Sequence, residues 1–472
     1  MKALSLFSGA GIGDIGFRAA GFDFVAFCEL EADRLGIAKH NFPNAEFFDG
    51  DIWLLKDRIV DFVRETCARD GVGLSLISCT APCQGMSKNG QGTLLKNARD
   101  GKRPKLDPRN RLIIPALDII KALQPEMVVF ENVTEMRRTV IENEEGELVS
   151  ILELIRSTLE PLYVGKAYDI EVADYGVPQR RQRLITVYSR VPAHRTLMCQ
   201  GGELVPPQTH FKTPAGRQAP WVSVATALAG FPPLDAKGPD TASSPAVEYH
   251  RVPLLDEHKY AWVSNTPPGR SAFDNQCVTC GFQDNPAHST GRDGNGINRA
   301  SRETPINCVK CGALLPRPST VLEDGSRRIM SGFTSAYKRM QADLPAPALT
   351  RNFSYACSDQ KVHPFENRVL SIAEALRIQT ISEYKFEWVV DVDGQSKHAP
   401  DALIRLVIGE SVPPKFLELL GSYLLSTAAG DFDFSSFEGT QHSLFAAYPD
   451  DGAERRPDLK TRLKKPSAVV AV

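Results

Sequence analysis

Hydrophobic and polar positions change their rhythm twice along this chain. From Lys2 to about Ser189, short apolar or β-branched runs alternate with stretches whose apolar residues recur every three or four positions. Strands feeding amphipathic helices give that alternation, and it predicts a doubly wound, mostly parallel α/β sheet. Ala3 to Phe7, Phe24 to Cys28, Glu46 to Phe48, Leu74 to Ser78, Met127 to Glu131, Val164 to Val172 and Leu184 to Tyr188 read as strands. Gly13 to Ala20, Ala32 to Asn41, Ile52 to Arg69, Arg109 to Leu123 and Val149 to Leu159 read as the helices between them. From about Val191 to Ala342 the period weakens and turn signals such as Pro267-Pro268-Gly269 recur, so this stretch reads as a second, loop-rich domain. Helical spacing returns at Ile372 to Gln379 and at Pro414 to Ser426, where Pro413-Pro414 offers a helix start. The chain thus divides into residues 1–190, 191–342, a return segment 343–427 and a polar, then basic, tail 428–472 expected to be mobile.

Composition narrows this only a little. A chain of 472 residues has room for two or three domains, and 42% hydrophobic with 24% charged residues is ordinary for a globular protein. Neither a membrane-length apolar run nor a basic and apolar leader is evident, which predicts a cytoplasmic protein with reduced thiols. Ten cysteines in that setting ask for chemistry or metal rather than a disulfide frame. A net charge of -2 confines any nucleic-acid surface to a local patch.

The candidate chemistry sits where strands end. Phe7-Ser8-Gly9-Ala10-Gly11 opens a glycine-rich turn that lets backbone approach a nucleoside-bearing ligand. Glu29 closes the second strand, placed to accept hydrogen bonds from ribose hydroxyls. Asp51 and Ile52 follow the third, suited to an adenine's amino group and ring face. After the fourth comes Pro82-Cys83-Gln84, with a thiol presented at the strand's carboxyl end and a basic loop behind it (Lys88, Lys96, Arg99, Lys102, Arg103, Lys105). Such a loop suits an anionic polymer. Glu131 ends the fifth strand, where burial would raise its pKa and let it donate a proton. In Gln179-Arg180-Arg181-Gln182-Arg183, alternation sends Arg181 and Arg183 to one face, so that both could converge on one acceptor.

These motifs, with Arg368-x-x-Ser371-x-x-Glu374-x-x-x-x-Gln379 and Gly409-Glu410-Ser411-Val412-Pro413-Pro414, occur in an order that resembles the DNA (cytosine-5) methyltransferase family from Lys2 to about Ser426. The resemblance implies S-adenosylmethionine as methyl donor, held around Phe7, Gly9, Gly11, Glu29, Asp51 and Ile52. It implies that the Cys83 thiolate adds to carbon 6 of cytosine and that Glu131 hydrogen-bonds or protonates ring nitrogen 3. Arg183 would hold the base's carbonyl oxygen and Arg181 would help organise the pocket. The base must be flipped out of duplex DNA, with the basic loop closing over it. A bacterial restriction-modification setting, with a possible partner endonuclease, goes with the resemblance. One duplex and one flipped base predict a monomer. Departures from the family pattern are Ser5, Ile12, Leu30, Ala373 and Glu410.

In such enzymes the variable segment after the arginine motif reads DNA, and residues 191–342 are the expected target-recognition domain. Arginines 270, 292, 299, 302, 327 and 328 are its candidate contacts. It also holds Cys277-x-x-Cys280-Gly281 and Cys308-x-x-Cys311-Gly312, a spacing that predicts a four-cysteine structural zinc module over 277–311. Other readings are weaker. A nicotinamide-dependent oxidoreductase would leave Cys83, Glu131 and the arginines without work. A transfer-RNA methyltransferase can rely on overall shape and needs no long zinc-bearing insertion. A non-catalytic DNA-binding relative would not be expected to keep the whole set.

Overall fold

All seven expected strands join one sheet. We number the strands of this sheet and the α-helices in chain order: β1 (Lys2–Leu6), β2 (Asp23–Glu29), β3 (Glu46–Asp49), β4 (Leu74–Cys79), β5 (Met127–Asn132), β6 (Val164–Glu171) and β7 (Gln182–Ser189). Their order is β3-β2-β1-β4-β5-β7-β6. β1 to β5 run parallel, and β7 runs antiparallel to both neighbours. The computed structural model describes residues 1–82, 86, 107–292, 298–301, 303–330, 335–392 and 394–430. Among these residues no helix is long and apolar enough to cross a membrane.

Helices cover both faces because each presents one apolar stripe. On one face lie α3 (Ile52–Asp70), α4 (Ile113–Leu123) and α5 (Ile151–Leu159), burying Ile59, Val63, Leu117, Ile120 and Ile155 against β1, β4 and β5. On the other lie α1 (Asp14–Ala19), α2 (Ala32–Asn41), α6 (Pro192–Cys199) and, from the far end of the chain, α11 (Pro414–Ala428). Between them in sequence come α7 (Val224–Leu228), α8 (Glu257–Ser264), α9 (Ile372–Ile378) and α10 (Asp401–Glu410). Burial of Phe416, Leu417, Leu420 and Leu424 on α11 contributes roughly 1.5–3 kcal/mol per side chain. The close α1–α11 contact depends on Gly16, where a Cβ would stand 2.1 Å from the Pro414 carbonyl oxygen. That glycine serves helix packing, although it lies in the glycine run after β1.

The return segment is fastened to the sheet by motif residues that are fully buried. Gln179 accepts from the Leu349 backbone N–H at 2.8 Å and donates to Gln379, which in turn donates to the Ser411 carbonyl at 2.8 Å. Three separated motifs therefore form one hydrogen-bonded chain. Ser371 and Glu374 close a capping box on α9, and Arg368 holds Glu374 through two hydrogen bonds of 2.7 Å. Burial works against the Glu374 charge, yet the adjacent Arg368 guanidinium keeps its carboxyl down at about 2. Ile12 packs into a cluster with Leu349, Phe353 and Ile372, and Ala373 packs with Phe231 and Val247, so two departures from the family pattern are core packing.

The boundaries differ from expectation for local reasons. Pro115 is tolerated only in a first helical turn, so α4 starts at Ile113 and Pro108–Leu112 is a 3-10 turn. Leu148–Ser150 pairs with Val140–Glu142 as a small hairpin, so α5 starts at Ile151 rather than Val149. The sequence reading missed α6, α7, α8 and α10. In α10, buried Ile404, Val407 and Ile408 have helical spacing, and its Gly409 lets the backbone of Thr350 and Arg351 approach.

Candidate active site

Strand order reverses at β1, whose neighbours are β2 and β4, and at such a switch point the loops leaving the carboxyl ends diverge and open a crevice. Here they open a cleft of about 800 Å³, well within the size range of small-molecule sites. Phe7, Gly9, Glu29, Asp51, Ile52, Glu131, Arg181 and Arg183 all line it. So does Pro82, the residue before Cys83. Cys83 itself, the basic residues from Lys88 to Lys105, Arg302, Gly332 to Thr334 and the tail from 431 lie outside the described residues.

Each residue expected to hold the methyl donor is fixed by the fold. Phe7 adopts a φ of 59°, a strained conformation for a side-chain-bearing residue that turns the chain sharply off β1. The Gly9 backbone N–H donates to Glu29 Oε2 at 2.8 Å, and the Glu31 N–H donates to Oε1 at 3.0 Å. Each carboxylate oxygen keeps a further lone-pair direction for a ribose hydroxyl. Asp51 caps α3 by accepting from the Trp53 N–H at 3.0 Å. Leu30, an apolar side chain 63% exposed, stands beside Glu29 on the cleft. The Ser8 hydroxyl and Arg34 Nε are buried on the cleft wall without a hydrogen-bond partner among the described residues. An adenosine-bearing ligand fits this set: acceptors for ribose and adenine, apolar cover for the ring, and buried polar atoms needing partners. Gly11 does not line the cleft. A Cβ there would stand 2.9 Å from the Phe42 ring, so Gly11 serves the turn and its packing.

On the other side of the cleft, the antiparallel direction of β7 decides the geometry. It sets Leu184 opposite Asn132 and Ile185 opposite Glu131, so the start of β7 lies beside the end of β5. Arg183 Nε consequently reaches Glu131 Oε1 at 2.6 Å, and both side chains are largely buried. The two arginines do not converge on one acceptor. Arg181 is buried and donates to the carbonyl oxygens of Leu349, Gly409 and Glu410 at 2.8, 3.2 and 3.2 Å. Its backbone N–H donates to the Glu171 side chain, which interrupts the ladder between Arg180 and Gln182. Arg181 thus positions the strand on which Arg183 presents its guanidinium.

The approach to Cys83 is braced from both neighbouring strands. Thr80 Oγ1 donates to the Phe7 carbonyl at 2.7 Å, and Asn132 Nδ2 donates to the Ala81 carbonyl at 3.0 Å. Arg109, two residues after the described chain resumes at Asp107, lines the same cleft and pairs with Asp107 at 2.6 Å. Two other cysteines near these strand ends are poor nucleophiles. Burial pushes the Cys79 thiol up to about 12, and burial together with Glu29 and Asp51 does the same for Cys28. Sequence reasoning missed Arg34, Asp14 and Glu410 on this cleft. Arg34 Nη2 stands 3.1 Å from Glu410 and Nη1 stands 3.6 Å from Glu29, which joins α2 to the return segment and gives the departure at Glu410 a role.

Away from the cleft, the two CxxC units meet. The Sγ atoms of Cys277, Cys280, Cys308 and Cys311 all lie within 4.8 Å of one another, with contacts of 3.6, 3.6 and 3.8 Å. Gly281 and Gly312 have φ of 69° and 75°, the left-handed turn each knuckle needs after its second cysteine.

A mostly parallel seven-stranded sheet with a cleft at its switch point, lined by a carboxylate–guanidinium pair, matches the S-adenosylmethionine-dependent methyltransferase fold. The family model described as C-5 cytosine-specific DNA methylase matches residues 1–425, and the chain belongs to that family. It is a DNA cytosine-5 methyltransferase, with S-adenosylmethionine as its methyl donor. It is 27% identical over 432 residues to the type II methyltransferase M1.HgaI of Avibacterium volantium, covering 89% of this chain and 96% of that one. It is 24% identical over 466 residues to the type II methyltransferase M.AgeI of Thalassovita gelatinovora, covering 90% and 99%. Among solved structures, a putative DNA modification methyltransferase encoded within an E. coli prophage has a TM-score of 0.48 at 19% identity, covering 90% of this chain and 99% of that one.

Proposed function

We propose that the enzyme methylates carbon 5 of a cytosine flipped out of a specific duplex DNA sequence, through a covalent adduct with Cys83. The observation that carries this reading is the Glu131–Arg183 pair, 2.6 Å apart, in the cleft that also contains the donor-side loops and the Pro82 lead-in to Cys83. Carbon 5 of cytosine is a poor nucleophile until the ring gains electron density. The Cys83 thiolate adds to carbon 6, and the electron pair it displaces builds up at ring nitrogen 3, where Glu131, in its carboxylic acid form, donates a hydrogen bond or the proton itself. Arg183 holds the base's carbonyl oxygen and the Glu131 carboxyl group together, and Arg181 keeps Arg183 in place. S-adenosylmethionine supplies an electrophilic methyl group to carbon 5. A solvent water then takes the proton from carbon 5, the carbon–sulfur bond breaks so that Cys83 departs as a thiolate, and the proton on ring nitrogen 3 returns to Glu131 with aromaticity restored. Glu29 would hold the donor's ribose hydroxyls, and Asp51, Ile52 and Phe7 its adenine.

Two relatives that match most of this chain are named type II methyltransferases, which supports a restriction-modification setting with a partner endonuclease. A cytoplasmic monomer acting on double-stranded DNA agrees with that setting. Residues 191–342 would form the target-recognition domain, and exposed Arg270 and Arg328 are its accessible candidate contacts. Expression in a host lacking cytosine methylation, followed by base-resolution mapping, tests substrate and site together. We expect 5-methylcytosine at one short motif in DNA. Modification confined to RNA would overturn the DNA reading.

We also propose that Cys277, Cys280, Cys308 and Cys311 bind one structural zinc ion. Four thiolates at zinc–sulfur bonds of about 2.3 Å form a tetrahedron with edges of about 3.8 Å. The observed contacts of 3.6 to 3.8 Å support that reading. With four protein ligands such a site has no open position for catalysis, so its work is to hold loops that bury little apolar surface of their own.

A further inference from the structure

The cleft carries a carboxylate that the mechanism above does not use. Asp14, at the start of α1, lines the cleft and is only 4% exposed. Its Oδ2 accepts from the Ser5 hydroxyl at 2.9 Å, and the Ser78 hydroxyl lies near enough to oppose the rise in its pKa. Among the described residues no lysine, arginine or histidine forms an ion pair with it. Burial pushes its carboxyl up to about 7, and the two serine hydroxyls only partly oppose that. A buried carboxylate of this kind is stabilised by a cation, and here none comes from the described residues. The same cleft is lined by the Ser8 hydroxyl, which is buried and without a hydrogen-bond partner among the described residues.

Of the two cationic centres on S-adenosylmethionine, the sulfonium has no N–H to give. The α-ammonium has three, and a carboxylate already holding a hydroxyl on one oxygen keeps lone pairs for them. We propose that Asp14 is the counter-ion of the donor's α-ammonium group, and so fixes the amino-acid end of the donor while Glu29 and Asp51 fix the adenosine end. The proposal rests on this cleft being the donor site.

The test is a binding cycle by calorimetry on the full chain. The ligands are S-adenosylhomocysteine, its deaminated analogue that keeps the carboxylate, and 5′-methylthioadenosine, which lacks the whole amino-acid end. Wild type should bind S-adenosylhomocysteine at least about tenfold more tightly than the deaminated analogue. In Asp14→Asn, and in Asp14→Ser, that preference should collapse to within about threefold with methylthioadenosine binding unchanged. Persistence of the preference in either variant, or its absence from the wild type, overturns the assignment. Loss of methylthioadenosine binding in both variants also overturns it, because Asp14 would then be holding the shape of the cleft. If the wild type binds none of the three ligands, the donor-site reading falls first and the assignment with it.

Discussion

Cys83→Ala is expected to lower methyl transfer to DNA by roughly a thousandfold or more, since a lost covalent nucleophile is among the costliest single changes an enzyme can suffer. Without addition at carbon 6 there is no electron density at carbon 5 to attack the methyl group. Donor affinity should stay within about twofold of wild type, because the residues proposed to hold the donor, Phe7, Gly9, Glu29, Asp51 and Ile52, hang on β1 to β3. Transfer of labelled methyl groups and calorimetric titration of donor separate the two effects. Turnover in the variant within tenfold of wild type would remove Cys83 from the mechanism. Cys28 and Cys79 are not expected to rescue it, since burial keeps both thiols protonated near neutral pH.

The second large effect concerns the four-cysteine cluster. Purified full-length protein should carry about one zinc per chain, and Cys277→Ser or a strong chelator should collapse the segment around the knuckles, because apparent binding energies of structural zinc reach roughly 10–16 kcal/mol. The surroundings explain why the collapse would spread. Arg317, fully buried, donates to the carbonyls of Asn275, Pro286 and Pro305, loops that the knuckles hold together. Once those loops part, a guanidinium loses its partners in an apolar setting. Proteolysis between residues 277 and 311, together with loss of DNA binding and retention of donor binding, is the expected signature. Metal analysis finding no bound zinc in protein grown in zinc-replete medium would refute the site.

The strands, the order of the cleft-forming loops and the pairing of the two CxxC units were legible in the sequence because each rests on a local signal. Apolar runs end at Leu6, Glu29, Cys79 and Asn132 whatever the rest of the chain does, and a left-handed turn at Gly281 or Gly312 is written in two neighbouring residues. What escaped depends on long-range register. The Glu131–Arg183 pair follows from β7 running antiparallel to β5, a direction no periodicity encodes. Alternation put Arg181 and Arg183 on one face, yet a break in the ladder sends Arg181 to carbonyls more than 160 residues away in sequence. Gly11, read as a donor-site glycine, also has the Phe42 ring 2.9 Å from where a Cβ would stand, because close approach of a ring asks for the same residue as close approach of a ligand. Asp14 was hidden for a similar reason, since its neighbours Ser5 and Ser78 come from two different strands.

The central claim is a carbon–sulfur bond between Cys83 and carbon 6 of a flipped cytosine. Fluorine at carbon 5 cannot leave as a proton does, so duplex DNA containing 5-fluorocytosine at the methylated motif should trap that bond. Incubated with S-adenosylmethionine, the wild-type protein should give a protein–DNA species that survives denaturing electrophoresis, and peptide mapping should place the nucleotide on Cys83. Folded, donor-binding wild-type protein that methylates the ordinary duplex and yet yields no such species, or the same species from Cys83→Ala, would contradict the account.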